Sequence, residues 1–171
     1  MDLKQYIRTI PDFPKPGIQF RDITSLLRHP EGFQFTNDVF HRRYKRENID
    51  AVVGIESRGF VFGSVLSHLL GCAFVPVRKE GKLPHVTLRQ EYTLEYGDTA
   101  IEIHDDALHR GDQVVIVDDL LATGGTLLAA SKLVELLGAK IVECAVVIEL
   151  TGLEGRKRLA EYEVFSIVQY D

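Results

Sequence analysis

Cysteine is scarce in this chain of 171 residues, and the two that occur, Cys72 and Cys144, sit far apart inside apolar stretches. A disulfide framework or a clustered zinc site is therefore disfavoured, and buried free thiols are expected. Basic residues are also too few to create a positive field: 20 Lys plus Arg stand against 25 Asp plus Glu, a net charge of −5 with pI near 5.7. That balance argues against nonspecific nucleic-acid binding, so any anion must be caught locally. No apolar run approaches the ~18 residues of a membrane helix, and Met1 to Tyr6 has no basic segment followed by a hydrophobic stretch. A cytoplasmic protein without membrane contact is the expectation. Repeats, linkers and low-complexity tracts are missing as well. Hydrophobic residues make up 45% of the chain, enough for a single domain over 1–171 that buries a core without staples.

Apolar runs rich in β-branched residues recur at Ala51–Ile55, Cys72–Val77, Val114–Val117, Ile141–Ile148 and Val164–Val168. Runs without polar alternation suit strands buried on both faces. Between them lie helical patterns at Phe60–Leu70 and at Thr126–Leu137, where Leu127, Ala130, Val134 and Leu137 share a face before Gly138. This is the grammar of an α/β fold with a mostly parallel central sheet flanked by helices. Two segments break it. Residues 80–104 read as a long loop carrying a hairpin around Tyr96-Gly97-Asp98, of the kind that serves as a lid. Residues 1–35 include three prolines and a glycine between Pro11 and Gly17, rigid yet irregular, with a helix starting near Pro30 and turning Phe33, Phe40 and Tyr44 inward.

The chemistry concentrates in Val114–Thr126, a strand followed at once by a helix. Ligands of parallel sheets bind beyond the carboxyl ends of the strands, which puts Asp118 and Asp119 at the crevice. Ala122, Thr123, Gly124, Gly125 and Thr126 then supply small residues at a helix N-terminus, where free N–H groups and the positive dipole end can surround a phosphate. Carboxylates accept hydrogen bonds from vicinal hydroxyls, so acids followed by a phosphate nest describe a ribose 5-phosphate site. The competing reading is a glycine-capped turn beside a solvated strand end. Neither G-x-x-x-x-G-K-[ST] nor G-x-G-x-x-G occurs, which removes most support for nucleotide hydrolysis and dinucleotide binding. A Ser57 nucleophile is weak too, because the G-x-S-x-G spacing is not met. His29, His41, His68, His85, His104 and His109 have no tight ligand spacing and are assigned to no metal.

The block Val114–Thr126 resembles the phosphoribosyl-diphosphate (PRPP) signature of the type I phosphoribosyltransferases, and its form Asp-Asp-Leu-Leu-Ala-Thr-Gly-Gly-Thr is similar to that of the adenine-specific members. Asp12–Ile23, Glu56–Phe60, Arg78–Pro84 and Leu94–Gly97 resemble the same group in the same order, so the likeness covers almost the whole chain. It implies the type I phosphoribosyltransferase fold, with an N-terminal hood over about 1–35 and a flexible lid over about 80–104. The implied reaction moves the 5-phosphoribosyl group of PRPP to N9 of adenine, giving AMP and pyrophosphate in purine salvage.

The resemblance also implies roles. Asp118 and Asp119 with Ala122 to Thr126 take the ribose and its 5-phosphate. Glu56, Ser57, Arg58, Arg78, Lys79, Lys82 and Tyr96 meet the pyrophosphate, with a non-proline cis peptide at Glu56-Ser57 and Arg78 reaching a neighbouring site in a homodimer. Glu95 handles the proton, and Arg58 and Arg78 stabilise the charge developing on the leaving group. Ile18, Gln19, Phe20, Arg21 and Leu150 hold adenine, with Phe20 stacking, Leu150 packing opposite, and the Gln19 backbone matching N6 and N1. The family commonly has an aliphatic residue where Gln19 stands, but the contact uses backbone atoms. Mg²⁺ is the implied cofactor, carried by PRPP and water near Asp119 with no direct protein ligand. A 6-oxopurine phosphoribosyltransferase and a non-catalytic PRPP-binding regulatory protein are the alternatives. The regulatory alternative calls for a basic face that a net charge of −5 does not provide.

Overall fold

The computed structural model describes residues 1–94 and 97–171. In chain order the elements are β1 (Arg8–Pro11), β2 (Gln19–Asp22), α1 (Ile23–Leu27), α2 (Pro30–Tyr44), β3 (Ala51–Ile55), α3 (Gly59–Leu70), β4 (Ala73–Lys79), β5 (Thr87–Leu94), β6 (Gly97–His104), β7 (Gln113–Leu121), α4 (Gly125–Leu136), β8 (Lys140–Leu150), α5 (Gly155–Arg158) and β9 (Val164–Tyr170). Among the described residues the main sheet has the order β5-β6-β4-β3-β7-β8-β9. The pairs β4·β3, β3·β7, β7·β8 and β8·β9 are parallel, and the β5–β6 hairpin adds antiparallel to the edge of β4.

Alternate residues of the central strands enter two cores, which is why their sequences read as unbroken apolar runs. Ala51, Val53, Ile55, Val114, Ile116, Cys144 and Val146 pack with α4 on one face. Val52, Val115, Val117, Ala145 and Val147 pack with Phe40, Tyr44, Phe62 and Leu66 of α2 and α3 on the other. Each such aliphatic side chain taken from water contributes roughly 1.5–3 kcal/mol. Cys72 is half-buried, Cys144 is buried, and both are free thiols.

The structure departs from the sequence reading in three places. β7 continues through Asp118 and Asp119 to Leu121, because the long β8 keeps pairing with it, Leu120 with Ile148 and Leu121 with Glu149. The two acids therefore lie within a strand and are buried, 9% and 6% exposed, which removes the solvated-end reading. The segment read as a long loop with a hairpin is mostly two eight-residue strands, and Ala100, Ile101 and Ile103 are core residues. The proline-rich start contains a small antiparallel pair, Arg8 with Asp22 through Pro11 with Gln19, plus the short helix α1. Pro11 sits at the end of a short edge strand, where a missing N–H donor costs least.

Candidate active site

The carboxyl ends of β3, β4 and β7 converge on one cavity of about 500 Å³, lined by Glu56, Ser57, Arg58, Lys79, Lys82, Tyr92 and residues 118–127. Segments distant in sequence meet there because β3 and β7 are neighbours. Gly59 makes the approach close enough: a Cβ on it would lie 2.7 Å from the Val117 carbonyl oxygen and 3.0 Å from Asp118 Oδ1. The Glu56-Ser57 peptide is cis.

Arg58 Nε donates to Asp119 Oδ2 at 2.5 Å, and the Asp119 N–H donates to Asp118 Oδ1 at 2.8 Å. Burial, together with the neighbouring charge of Asp119, pushes the Asp118 carboxyl well above the usual carboxylate range. Asp119 is the member of the pair that faces Arg58. Glu56 accepts from Arg78 Nε and Nη2, each at 3.2 Å, and from the Lys79 N–H at 3.0 Å. Burial works to raise the Glu56 pKa, but these donors and Lys82 outweigh it and hold the carboxyl below its ordinary value.

Beyond β7 the chain turns through Gly124, at φ +82°, into α4. No side chain caps this helix and no acidic residue occupies its first turn, so its leading N–H groups face the cavity without internal acceptors. With Arg58, Lys79 and Lys82 across from them, the cavity is built for a polyanion, and Asp119 supplies an acceptor for hydroxyls. Among the described residues, no group of three or more His, Cys, Asp or Glu could hold a metal ion. Glu56 and Asp119 already face guanidinium groups, so these oxygens fit a hard cation that arrives with most of its ligands on a phosphorylated substrate.

A second cavity of about 630 Å³ adjoins the first, sharing Ala122 and Thr123. It is lined further by Gly17, Ile18, Gln19, Arg21, Leu150, Gly152, Leu153 and Asp171. The turn before β2 is closed by the Gly17 N–H donating to Asp12 Oδ1 at 2.7 Å. Arg21 is fixed by Thr9 and by the Tyr170 ring, 4.0 Å from its guanidinium carbon.

The sequence-derived residues thus fall into two neighbouring groups. Glu56, Ser57, Arg58, Lys79, Lys82, Asp118, Asp119 and Ala122 to Thr126 line the first cavity, and Ile18, Gln19, Arg21 and Leu150 line the second. Arg78 lines neither, being turned to Glu56 and to the Lys82 carbonyl. Phe20 lies outside the lining of the second cavity, edge-on to Phe13 with ring centroids 5.2 Å apart. Glu95 and Tyr96 lie outside the described residues. Sequence reasoning missed Tyr92, whose alternation with Leu88 along β5 was a signal, and Asp171, which had none.

The Phosphoribosyl transferase domain family matches residues 22–171. The adenine phosphoribosyltransferase of Carboxydothermus hydrogenoformans is 56% identical over 170 residues, covering 99% of this chain and 100% of its own length. The crystal structure of adenine phosphoribosyltransferase from Rhodothermus marinus superposes with TM-score 0.92 at 54% identity, over 98% of this chain and 96% of that one. The Saccharomyces cerevisiae adenine phosphoribosyltransferase, solved with an imino-altritol bisphosphate and adenine, gives TM-score 0.92 at 43% identity, over 97% of this chain and 96% of that one.

Proposed function

The chain belongs to the phosphoribosyltransferase family, among the adenine phosphoribosyltransferases, and from that premise we propose how its residues carry the reaction. It transfers the 5-phosphoribosyl group of PRPP to N9 of adenine, releasing pyrophosphate and forming AMP, a step of purine salvage. The observation that carries the reading is the junction at Ala122 and Thr123 of a cation-lined cavity and a more apolar one, which suits a phosphorylated sugar bonded to a base.

The 5-phosphate lies on the N–H groups that open α4, and Asp119 accepts from the ribose hydroxyls, which fixes the anomeric carbon at the junction. Arg58, Lys79 and Lys82 meet the pyrophosphate, whose negative charge grows as the bond to the anomeric carbon breaks. These groups therefore stabilise the transition state more than the ground state. Asp119 is the residue that would reach, through water, a Mg²⁺ carried by PRPP, and such an ion would supply neutralisation of part of that charge. Adenine N9 attacks from the second cavity, with the ring against Leu150 and its N6 and N1 edge on the Gln19 backbone. The N9 proton passes to Glu95, a role resting on the sequence resemblance and supported by Tyr92 of β5, which lines the cavity three residues earlier. Tyr96 joins the pyrophosphate contacts by the same sequence resemblance. Phe20 stacks on the purine, a role resting on the sequence resemblance.

Arg78 serves the site of a second copy. Its absence from the cavity lining of its own chain, where Lys79 and Lys82 are present, supports a homodimer with shared sites. The free thiols suit the reducing cytoplasm.

Pyrophosphate release from PRPP and Mg²⁺, compared with adenine, hypoxanthine, guanine and xanthine, tests the reading. Release with adenine alone is expected. Release with a 6-oxopurine instead would overturn the base assignment, and tight PRPP binding without release would favour a regulatory role.

A further inference from the structure

We propose that Glu149 and Arg156 are positioning residues that hold the phosphate loop and the wall of the base cavity together. The inference rests on the phosphoribosyl-transfer reading and deepens it. Glu149 is 4% exposed, yet its carboxylate accepts from Arg156 Nε at 2.6 Å, Arg156 Nη2 at 2.8 Å, the Ser166 hydroxyl at 2.6 Å and Gln169 Nε2 at 3.0 Å. Neither Glu149 nor Arg156 lines either cavity.

Their reach is set by what adjoins them. Leu150, the next residue after Glu149, lines the base cavity, as do Gly152 and Leu153. Glu149 pairs in register with Leu121, the residue from which the chain leaves β7 for the phosphate loop. Arg156 follows Gly155, whose carbonyl oxygen would lie 2.7 Å from a Cβ on Gly124. A Cβ on Gly155 would in turn meet the Ala122 carbonyl oxygen at 2.3 Å. The backbone at Gly155 therefore presses directly on the loop that meets the 5-phosphate, and the bidentate pair fastens the segment carrying Gly155 back to β8. Arg156 Nη1 adds a bond to the Val164 carbonyl at 2.8 Å, tying in the start of β9. The Arg156 side chain is 45% exposed and the Glu149 side chain 5%, and an ion pair open to solvent on one side adds little net stability, so geometric control explains this one better than stability does.

The test uses the full chain with Arg156→Gln, which removes the charge, and Arg156→Lys, which keeps the charge but loses the fork. Backbone hydrogen exchange at residues 121–125 and 150–155 is measured beside KM for PRPP, KM for adenine and kcat. The expected result for Arg156→Gln is exchange about tenfold faster in both segments and KM for PRPP about tenfold higher, with kcat falling less than about threefold. Arg156→Lys is expected to recover part of each change, and it carries the test should Arg156→Gln not fold. A lowered Tm with both KM values unchanged, and with exchange rising evenly across the sheet, would overturn the proposal. Failure of the wild-type chain to release pyrophosphate with any base would sink the transfer reading, while the exchange pattern would still decide the clamp.

Discussion

The two cavities, proposed as the sugar-phosphate half of the site and the base half, are built by different means. Much of the first is continuous in sequence: β7 delivers two buried acids and the turn after it a helix N-terminus, backed by a sheet with helices on both faces, while Glu56 to Arg58, Lys79 and Lys82 join from the ends of β3 and β4. The second is assembled from Gly17, Ile18, Gln19, Arg21, Leu150, Gly152, Leu153 and Asp171, which come from the small two-stranded sheet and the turn before it, a post-strand loop and the last residue, with Ala122 and Thr123 shared. Its β1 strand is mostly exposed, and side-chain contacts such as Arg21 on Tyr170 and Thr151 on Asp171 hold it in place. On the proposed reading, the groups that meet the phosphoribosyl donor are set beside the core, whereas the choice of base falls to segments fastened at the surface.

The comparison can be broken most severely at Asp119. Asp119→Asn removes the ribose acceptor and leaves Arg58 without its carboxylate, so turnover should fall by about two orders of magnitude. Pyrophosphate release measures this, and unchanged turnover would remove Asp119 from the ribose role. Gly124→Ala comes next. A side chain is strained at φ +82° and would meet the Gly155 oxygen at 2.7 Å. Thermal unfolding should show a loss of about 1–3 kcal/mol, together with a raised KM for PRPP. Leu150→Ala strikes the other half and should raise KM for adenine about tenfold while leaving KM for PRPP alone. Equal movement of both constants would count against the division.

The smallest effect sharpens the contrast through pH. Burial and the charge of Asp119 raise the folded pKa of Asp118, so the native state binds a proton the unfolded chain has already released. Stability therefore falls as pH rises from the unfolded value, about 4, up to the folded one. Asp118→Asn, which keeps an acceptor for the Asp119 N–H, should raise Tm at neutral pH and lose that advantage near pH 4. A Tm gain independent of pH would contradict this origin.

Legibility in the sequence followed the same division. β3, β7, β8, α3 and α4 were readable because burial on both faces produces unbroken apolar runs and glycines close the helices. The phosphate half was readable because its residues are neighbours in the chain. The β1–β2 pair was not, since prolines and exposed residues erase the alternation that marks a strand. The β5–β6 hairpin was half-read: Gly81, Pro84 and Gly97 give the segment the look of a loop, while its base feeds Ile101 and Ile103 into the core. Asp171 and the Glu149–Arg156 pair left no trace, because ion pairs and cavity linings formed by tertiary contact have no local period.

The sugar-phosphate half is expected to bind its ligand without the base half. Calorimetric titration of ribose 5-phosphate into the wild-type chain, Leu150→Ala and Asp119→Asn tests it directly. Equal affinity is expected for wild type and Leu150→Ala, and a clear loss for Asp119→Asn. Weakening by Leu150→Ala as large as that by Asp119→Asn would contradict it.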